Sequence, residues 1–240
     1  TQSRSSAASD VYKRQMDANV RCVVLTGAGS AFCAGGDVKG FAAASDGSGA
    51  LAPTTLEQRA QALRPGFDVS RMLHEMPKPT LAAIPGAAAG AGCSLALACD
   101  LRIAVDSAKI TTAFSKVGLS GDYGMSYFLP LLVGHTKARE LMFTAQVITG
   151  EQALALGMIN QSVTAEAFPE AVSAMATQLA ALPTVALGYM KKNLNASNTQ
   201  SLSQILDSEA MSMARCFTTD DHKGASQAFV EKRAPEFKGR

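Results

Sequence analysis

The chain has 240 residues, with Lys+Arg 22 against Asp+Glu 20, a net charge of +2, 47% hydrophobic residues and no Trp. It is long enough for one large domain, or one with a small appendage, that buries roughly 70% or more of its unfolded surface without staples. With balanced charge and no basic run, neither nucleic acid nor a membrane surface is indicated as a partner, and a small molecule is the expected one.

Residues 1–15, TQSRSSAASDVYKRQ, are polar and lack an apolar period. Asp10 to Gln15 back-translates as GAT GTG TAT AAG AGA CAG, the end sequence of a transposase adapter used in sequencing libraries. The segment is therefore expected to be a translated artefact ahead of native sequence that starts at or just before Met16, and no signal peptide is visible in it. Arg21 to Thr26, RCVVLT, is a β-branched run ending at Gly27, the pattern of a buried parallel strand. Residues 41–60, rich in Ala, Ser and Gly, read as a loop grading into a helix. Arg64-Pro65 to Met76 carries Phe67, Met72, Leu73 and Met76 at helical spacing, and Pro77-Lys78-Pro79 stops it. Thr80 to Ile84 and Leu101 to Val105 repeat the strand pattern on either side of a small-residue turn. Residues 81–98 are apolar enough to suggest a membrane span, but Pro85 and the glycines interrupt the run and Asp100 and Arg102 close it. From Lys137 onward the segments 137–143, 151–156, 167–182, 184–194 and 201–217 read as helices, with Met158 to Val163 a short strand among them. Strand, turn and helix alternate, which predicts an α/β class with a mainly parallel sheet, a core over 16–136 and a helical part over 137–240.

Five cysteines, Cys22, Cys33, Cys93, Cys99 and Cys216, show neither CxxC nor Cys/His ligand spacing. They read as reduced core thiols of a cytoplasmic protein, with no metal site. His74, His135 and His222 share no ligand spacing and fit surface or helix-end positions.

The segment 86–100, GAAAGAGCSLALACD, joins a run of small residues to an apolar stretch, Ser94 to Cys99, that is either a helix or a buried strand. A helix starting there aims unpartnered N–H groups, at the positive end of its dipole, towards whatever stands in front of it, an arrangement suited to an oxygen gaining negative charge. The alternative is a Gly/Ala turn packed tightly for steric reasons. Thr26 to Ser30, TGAGS, resembles a dinucleotide-binding turn, but Phe32 to Asp37, FCAGGD, follows where a helix should start, and no YxxxK pair is present. FCAGGD instead offers a second strand-to-turn junction, and two such junctions can each lend one N–H to a single oxygen. Preorganised donors of this kind match negative charge that develops on an oxygen during a reaction.

VVLTGAGSAFCAGGD, PKPTLAAIPGAAAGAGCSLALACDLRIA, FSKVGLSGDYG and FVEKRAPEFKGR resemble, in order and spacing, the crotonase superfamily of enoyl-CoA hydratases and isomerases, over residues 20–240. The family's first strand and helix are not found upstream of RCVVLTG, in keeping with a truncated start. The resemblance implies an α/β spiral of ββα units, a helical C-terminal region that mediates a homotrimer or dimer of trimers, an acyl-CoA substrate, and no cofactor beyond the coenzyme A that is part of that substrate. It implies that Gly36 and Ala91 donate the two oxyanion-hole N–H groups, with Ala34 and Asp37 alongside in the substrate-binding turn. The two positions where the family's hydratases carry glutamates fall on Ser94 and Phe114, neither of which holds a proton as a carboxylate does. A third position, an acid/base in some isomerases and a nucleophile in dehalogenases, falls on Asp122; by itself such an Asp is more often a turn former, and the matched motif reverses that. Ser94 is left as a substrate-bonding group or a helix cap, and Cys93 as a packed thiol. Lys39, Phe229 and Lys232 match positions that contact the CoA nucleotide. The expected activity is double-bond isomerisation of an enoyl-CoA. The alternatives are hydration, hydrolysis or dehalogenation with Asp122 as nucleophile, and non-catalytic acyl-CoA binding.

Overall fold

The computed structural model describes residues 4–37 and 55–240. Its central sheet is built from β1 (Val23–Thr26), β2 (Thr80–Ile84), β4 (Leu101–Val105) and β6 (Gln161–Val163), all parallel in the order β1-β2-β4-β6. Val23 stands opposite Thr80, Ala82 opposite Arg102 and Ile103 opposite Gln161. Every residue of β2 is buried, as expected of a strand covered on both faces, and this is why it reads as an uninterrupted apolar run. A second, smaller ladder pairs β3 (Ala88–Ala89) with β5 (Ile110–Thr111), flanked by bridges from Cys33 to Ala88 and from Ile148 to Ile110.

The helices are α1 (Arg4–Met16), α2 (Leu56–Glu75), α3 (Ala91–Ala98), α4 (Met125–Thr144), α5 (Gly150–Ala155), α6 (Phe168–Ala181), α7 (Thr184–Ala196), α8 (Leu202–Phe217) and α9 (Asp220–Val230), with a 3₁₀ turn at Phe114–Val117. The apolar run 81–98 is thus divided among β2, β3 and α3, and among the described residues no single helix is long and apolar enough to cross a membrane. The architecture is mixed α/β with a parallel sheet and a helical C-terminal part, as the sequence pattern implies.

Several elements depart from the sequence reading: β1, expected as a buried strand, is an edge strand whose residues alternate between half-buried and exposed. α2 begins before Arg64, because Thr55 and Gln58 form a reciprocal capping box, and Pro65 is accommodated inside the helix. α4 begins at Met125 behind a left-handed Gly124 and is broken at Gly134 (φ +74), which masked its first half. α9 escaped notice because it is polar; Thr219 caps it by accepting from the His222 N–H. Residues 4–16, set aside in the sequence reading, are helical and pack against α2 with Val11 buried. Lys78 ties that helix down, its Nζ donating to the carbonyls of Arg14 (3.0 Å) and Asp17 (2.6 Å). Of the segment 41–60, expected as a loop grading into a helix, residues 41–54 lie outside the described residues and residues 56–60 belong to α2.

Candidate active site

The first turn leaves β1 at Thr26, whose hydroxyl donates to the Ala83 carbonyl (2.9 Å). Gly27 has no room for a side chain: a Cβ there would stand 1.9 Å from the Ala31 carbonyl oxygen. No helix follows, which removes the dinucleotide-turn reading. Instead, residues 32–33 run beside residues 87–89, with the N–H groups of Phe32 and Cys33 donating to Ala87 O (2.9 and 3.1 Å) and the Ala89 N–H donating to Cys33 O (2.9 Å). Gly35 (φ +94) approaches so closely that a Cβ would lie 2.9 Å from Ala89 O. Gly36 is therefore presented, exposed, next to the start of α3, with exposed Ala34 and Asp37 on either side of the pair. Lys39 lies outside the described residues.

The second turn follows β3. Gly90 (φ +51, ψ −120) occupies the N-cap of α3 and offers no side-chain cap, so the Ala91 N–H opens the helix without an intrahelical acceptor. The other end of α3 is closed by Arg102, a buried guanidinium donating to the carbonyls of Leu97 (3.4 Å), Cys99 (2.5 Å) and Asp100 (3.2 Å), and to Met158 O (2.8 Å). A cation on these last carbonyls satisfies orphan acceptors and complements the helix dipole, which fixes the element that carries Ala91.

Ser94 is fully buried inside α3, and its hydroxyl donates to Gly90 O (3.2 Å). It is not the helix cap, a place taken by Gly90; it braces the turn from below. Phe114 is also buried, its ring 3.8 Å from where a Gly90 Cβ would stand, so it packs on the same turn. Cys93 is buried, and burial pushes its thiol up to about 12, which removes it as a nucleophile and bears out the packed-thiol reading.

Asp122 sits in a tightly coiled loop where Gly121 (φ +115), Tyr123 (φ +46) and Gly124 (φ +84) all adopt left-handed backbone. Tyr123 is the costly member, since an L side chain disfavours that region. The loop is held from both ends. Met125 N–H donates to Asp122 O (3.0 Å), and the Tyr123 ring packs edge-on against Phe67 of α2 (centroids 5.0 Å, 62°). Asp122 is half-buried, with its Oδ1 atom shielded from solvent, and it immediately precedes α4, the helix that packs on α3. Phe229, 85% exposed, and Lys232 (φ +55) stand at the end of α9, whose neighbour is α8.

The sequence reading missed a cavity of about 520 Å³ bordered by Phe67, Ser70, His74, Tyr123, Tyr127 and Phe128. Its only advance signal was the spacing of Phe67, Ser70 and His74, one face of a helix. Ser70 is buried and its Oγ has no hydrogen-bond partner, a condition that typically costs about 1–3 kcal/mol. His74 is half-buried in the last turn of α2 against the rings of Tyr127 (5.8 Å) and Phe128 (5.1 Å), and burial lowers its pKa. Among the described residues, no three His, Cys, Asp or Glu side chains stand together as a metal-ligand set.

The sequence pattern of the enoyl-CoA hydratase/isomerase family matches residues 9–240. The chain is 36% identical over 226 residues to a 1,2-epoxyphenylacetyl-CoA isomerase of Escherichia coli (strain K12), covering 94% of this chain and 84% of that one. It is 37% identical over 221 residues to a probable enoyl-CoA hydratase of Rhodobacter capsulatus (92% and 82% covered). It is also 31% identical over 205 residues to a 4-chlorobenzoyl coenzyme A dehalogenase of an Arthrobacter species (85% and 71% covered). In three dimensions it resembles a crystal structure of an enoyl-CoA hydratase/isomerase from Mycobacterium abscessus with a TM-score of 0.89 at 30% identity, covering 99% of this chain and 89% of that one. The chain therefore belongs to the enoyl-CoA hydratase/isomerase family of the crotonase superfamily and is an enzyme acting on an acyl-CoA thioester.

Proposed function

We propose that the protein moves a double bond within an acyl-CoA. Asp122 accepts a proton from the acyl chain, the thioester carbonyl becomes an enolate whose oxygen receives the N–H groups of Gly36 and Ala91, and the proton returns to a different carbon. No redox partner or added water enters the balance. Each oxyanion donor in such a pair typically lowers the barrier by about 3–4 kcal/mol. The observation that carries this reading is the chemistry of three positions: Ser94 is buried and donates to Gly90 O, Phe114 is apolar, and Asp122 is the carboxyl group of the set. A site without the paired glutamates does not readily activate and deliver water. The likeness to an isomerase of a CoA thioester supports the same direction. The test is Asp122→Asn assayed over a panel of 2-enoyl-, 3-enoyl- and dienoyl-CoAs: turnover is lost while acyl-CoA binding persists, and unchanged turnover overturns the assignment.

The likeness to a dehalogenase of a CoA thioester supports one further reading, in which Asp122 attacks as a nucleophile. An aspartyl adduct trapped during turnover and found by mass spectrometry favours it over proton transfer.

We also propose that the chain assembles as a homotrimer or dimer of trimers. Met190, Leu194, Leu206, Met213 and Phe217 of the neighbouring helices α7 and α8 are exposed large apolar side chains, with Met190, Leu194 and Met213 bordering one groove, and such surfaces mark interfaces. Light scattering should give three or six times the 24.9 kDa chain mass, and a monomer overturns this.

A further inference from the structure

Phe67, Ser70 and His74 lie along one face of α2 and form one side of the 520 Å³ cavity, with Tyr123, Tyr127 and Phe128 on the other. Tyr123 directly follows Asp122, so the cavity wall and the carboxyl-bearing residue are neighbours in the chain, about 3.8 Å apart at Cα. The cavity therefore starts beside the position proposed to move the proton. Its rings meet edge to face: Phe67 with Tyr123 at 5.0 Å, His74 with Phe128 at 5.1 Å, and Tyr127 with Phe128 at 5.2 Å. Another ring entering such a set gains contacts of the same geometry. In the wall, Ser70 holds a hydroxyl with no hydrogen-bond partner whose oxygen is shielded from solvent, and a turn of its side chain to another staggered rotamer would present it to one polar atom of a ligand. The charges at the rim do not call for an ionic ligand, because Arg64 pairs with Asp68 (2.8 Å) and Arg71 pairs with Asp68 (3.2 Å) and Glu75 (2.9 Å).

We propose that this cavity receives the far end of the acyl group and selects thioesters whose acyl part carries an uncharged ring with one hydrogen-bonding substituent, with Ser70 as the specificity-determining residue. The assignment rests on the reading of Asp122 as the acid/base of an acyl-CoA site, and it names the substrate class of that site.

Calorimetric binding to the 240-residue chain tests it without requiring turnover, using phenylacetyl-CoA, its 3- and 4-hydroxy derivatives, and butyryl-CoA. The ring thioesters should bind at least about tenfold more tightly than butyryl-CoA, and at least one hydroxylated ring more tightly than phenylacetyl-CoA. Ser70→Leu, which fills the cavity, should weaken every ring thioester about tenfold and leave butyryl-CoA within about twofold. Ser70→Ala, which keeps the space, should erase only the advantage of the hydroxylated ring. If Ser70→Leu fails to fold by circular dichroism, Phe67→Ala replaces it, with the same ring-selective loss expected. Equal affinity for ring and butyryl thioesters, or variants that weaken all of them alike, overturns the proposal. Failure of the isomerase reading is seen separately: Asp122→Asn with unchanged turnover removes that reading, whereas ring-selective binding lost only in the Ser70 and Phe67 variants still upholds the cavity assignment.

Discussion

Gly92 and Cys33 are in backbone contact: a Cβ on Gly92 would stand 2.3 Å from the Cys33 carbonyl oxygen and 2.6 Å from the Cys33 Cβ. This single approach locks the turn that carries Gly36 against the helix that starts at Ala91. A methyl group at that site must displace backbone, not a flexible side chain. Gly92→Ala is expected to cost about 1–3 kcal/mol of stability by overpacking, read as a lower urea midpoint. Because the shift falls between the two proposed donors, kcat should drop by about 10²–10³ at temperatures where the variant remains folded. Normal kcat in a folded Gly92→Ala protein would separate the turn contact from catalysis.

Thiol chemistry gives a second check. Burial raises the thiols of Cys93 and Cys99 to about 12 and that of Cys22 to about 11. For a thiol near 12, only about one molecule in ten thousand is thiolate at pH 8. In the native protein these three cysteines should be silent to an aromatic disulfide reagent at pH 8, and all five should react after unfolding in urea. Rapid labelling of Cys93 in the folded state, located by peptide mapping, contradicts the packing around α3.

Much of this site is legible from sequence because its donors are main-chain groups. Gly27, Gly35 and Gly92 mark where backbones touch and Gly90 where the chain turns at positive φ, and both conditions leave small residues behind as a written trace. The strands Thr80–Ile84 and Leu101–Val105 are equally plain, since burial of nearly every residue makes them mostly apolar, with the buried Arg102 the exception. The side-chain partners are harder to read. Ser94 looked equally able to cap a helix or touch substrate, and only its burial under Gly90 decides its place. The pairing of Phe67 with Tyr123 joins α2 to the loop before α4, a long-range contact without a local signature. Polar helices such as Asp220–Val230 escape a search for apolar period, because caps and tail contacts hold them: Asp221 accepts from the N–H groups of Lys238 (2.5 Å) and Gly239 (2.8 Å).

The environment of His74 sets a pH dependence of stability. Burial, then the nearby Lys191 ammonium, lowers its pKa, while Asp100 and Glu75 act in the opposite direction. The folded imidazole thus binds its proton less readily than the unfolded one, whose value is about 6.5. Below that value the unfolded state takes up more protons, so stability is complete above it and falls as pH drops towards the lowered folded value. The urea midpoint should decline between pH 7.5 and 5.5 in the wild type, and less steeply in His74→Gln, which does not titrate. An identical slope in the two proteins removes His74 from the pH response.

Lys78 makes the N-terminal helix part of the folded unit. Its ammonium is buried against the end of α1, donating to Arg14 O and Asp17 O, and burial lowers its pKa. Those carbonyls belong to the last turn and the exit of the helix, where acceptors have no intrahelical donor, so a cation there both satisfies them and complements the dipole. Lys78→Met keeps the apolar stem and removes the donors. A loss of about 1–3 kcal/mol is expected, concentrated locally instead of spread over the fold. Hydrogen exchange should show the amides of residues 8–16 losing protection while those of β2 and β4 keep theirs. If residues 8–16 exchange at the unprotected rate already in the wild type, α1 is not docked and Lys78 has another role.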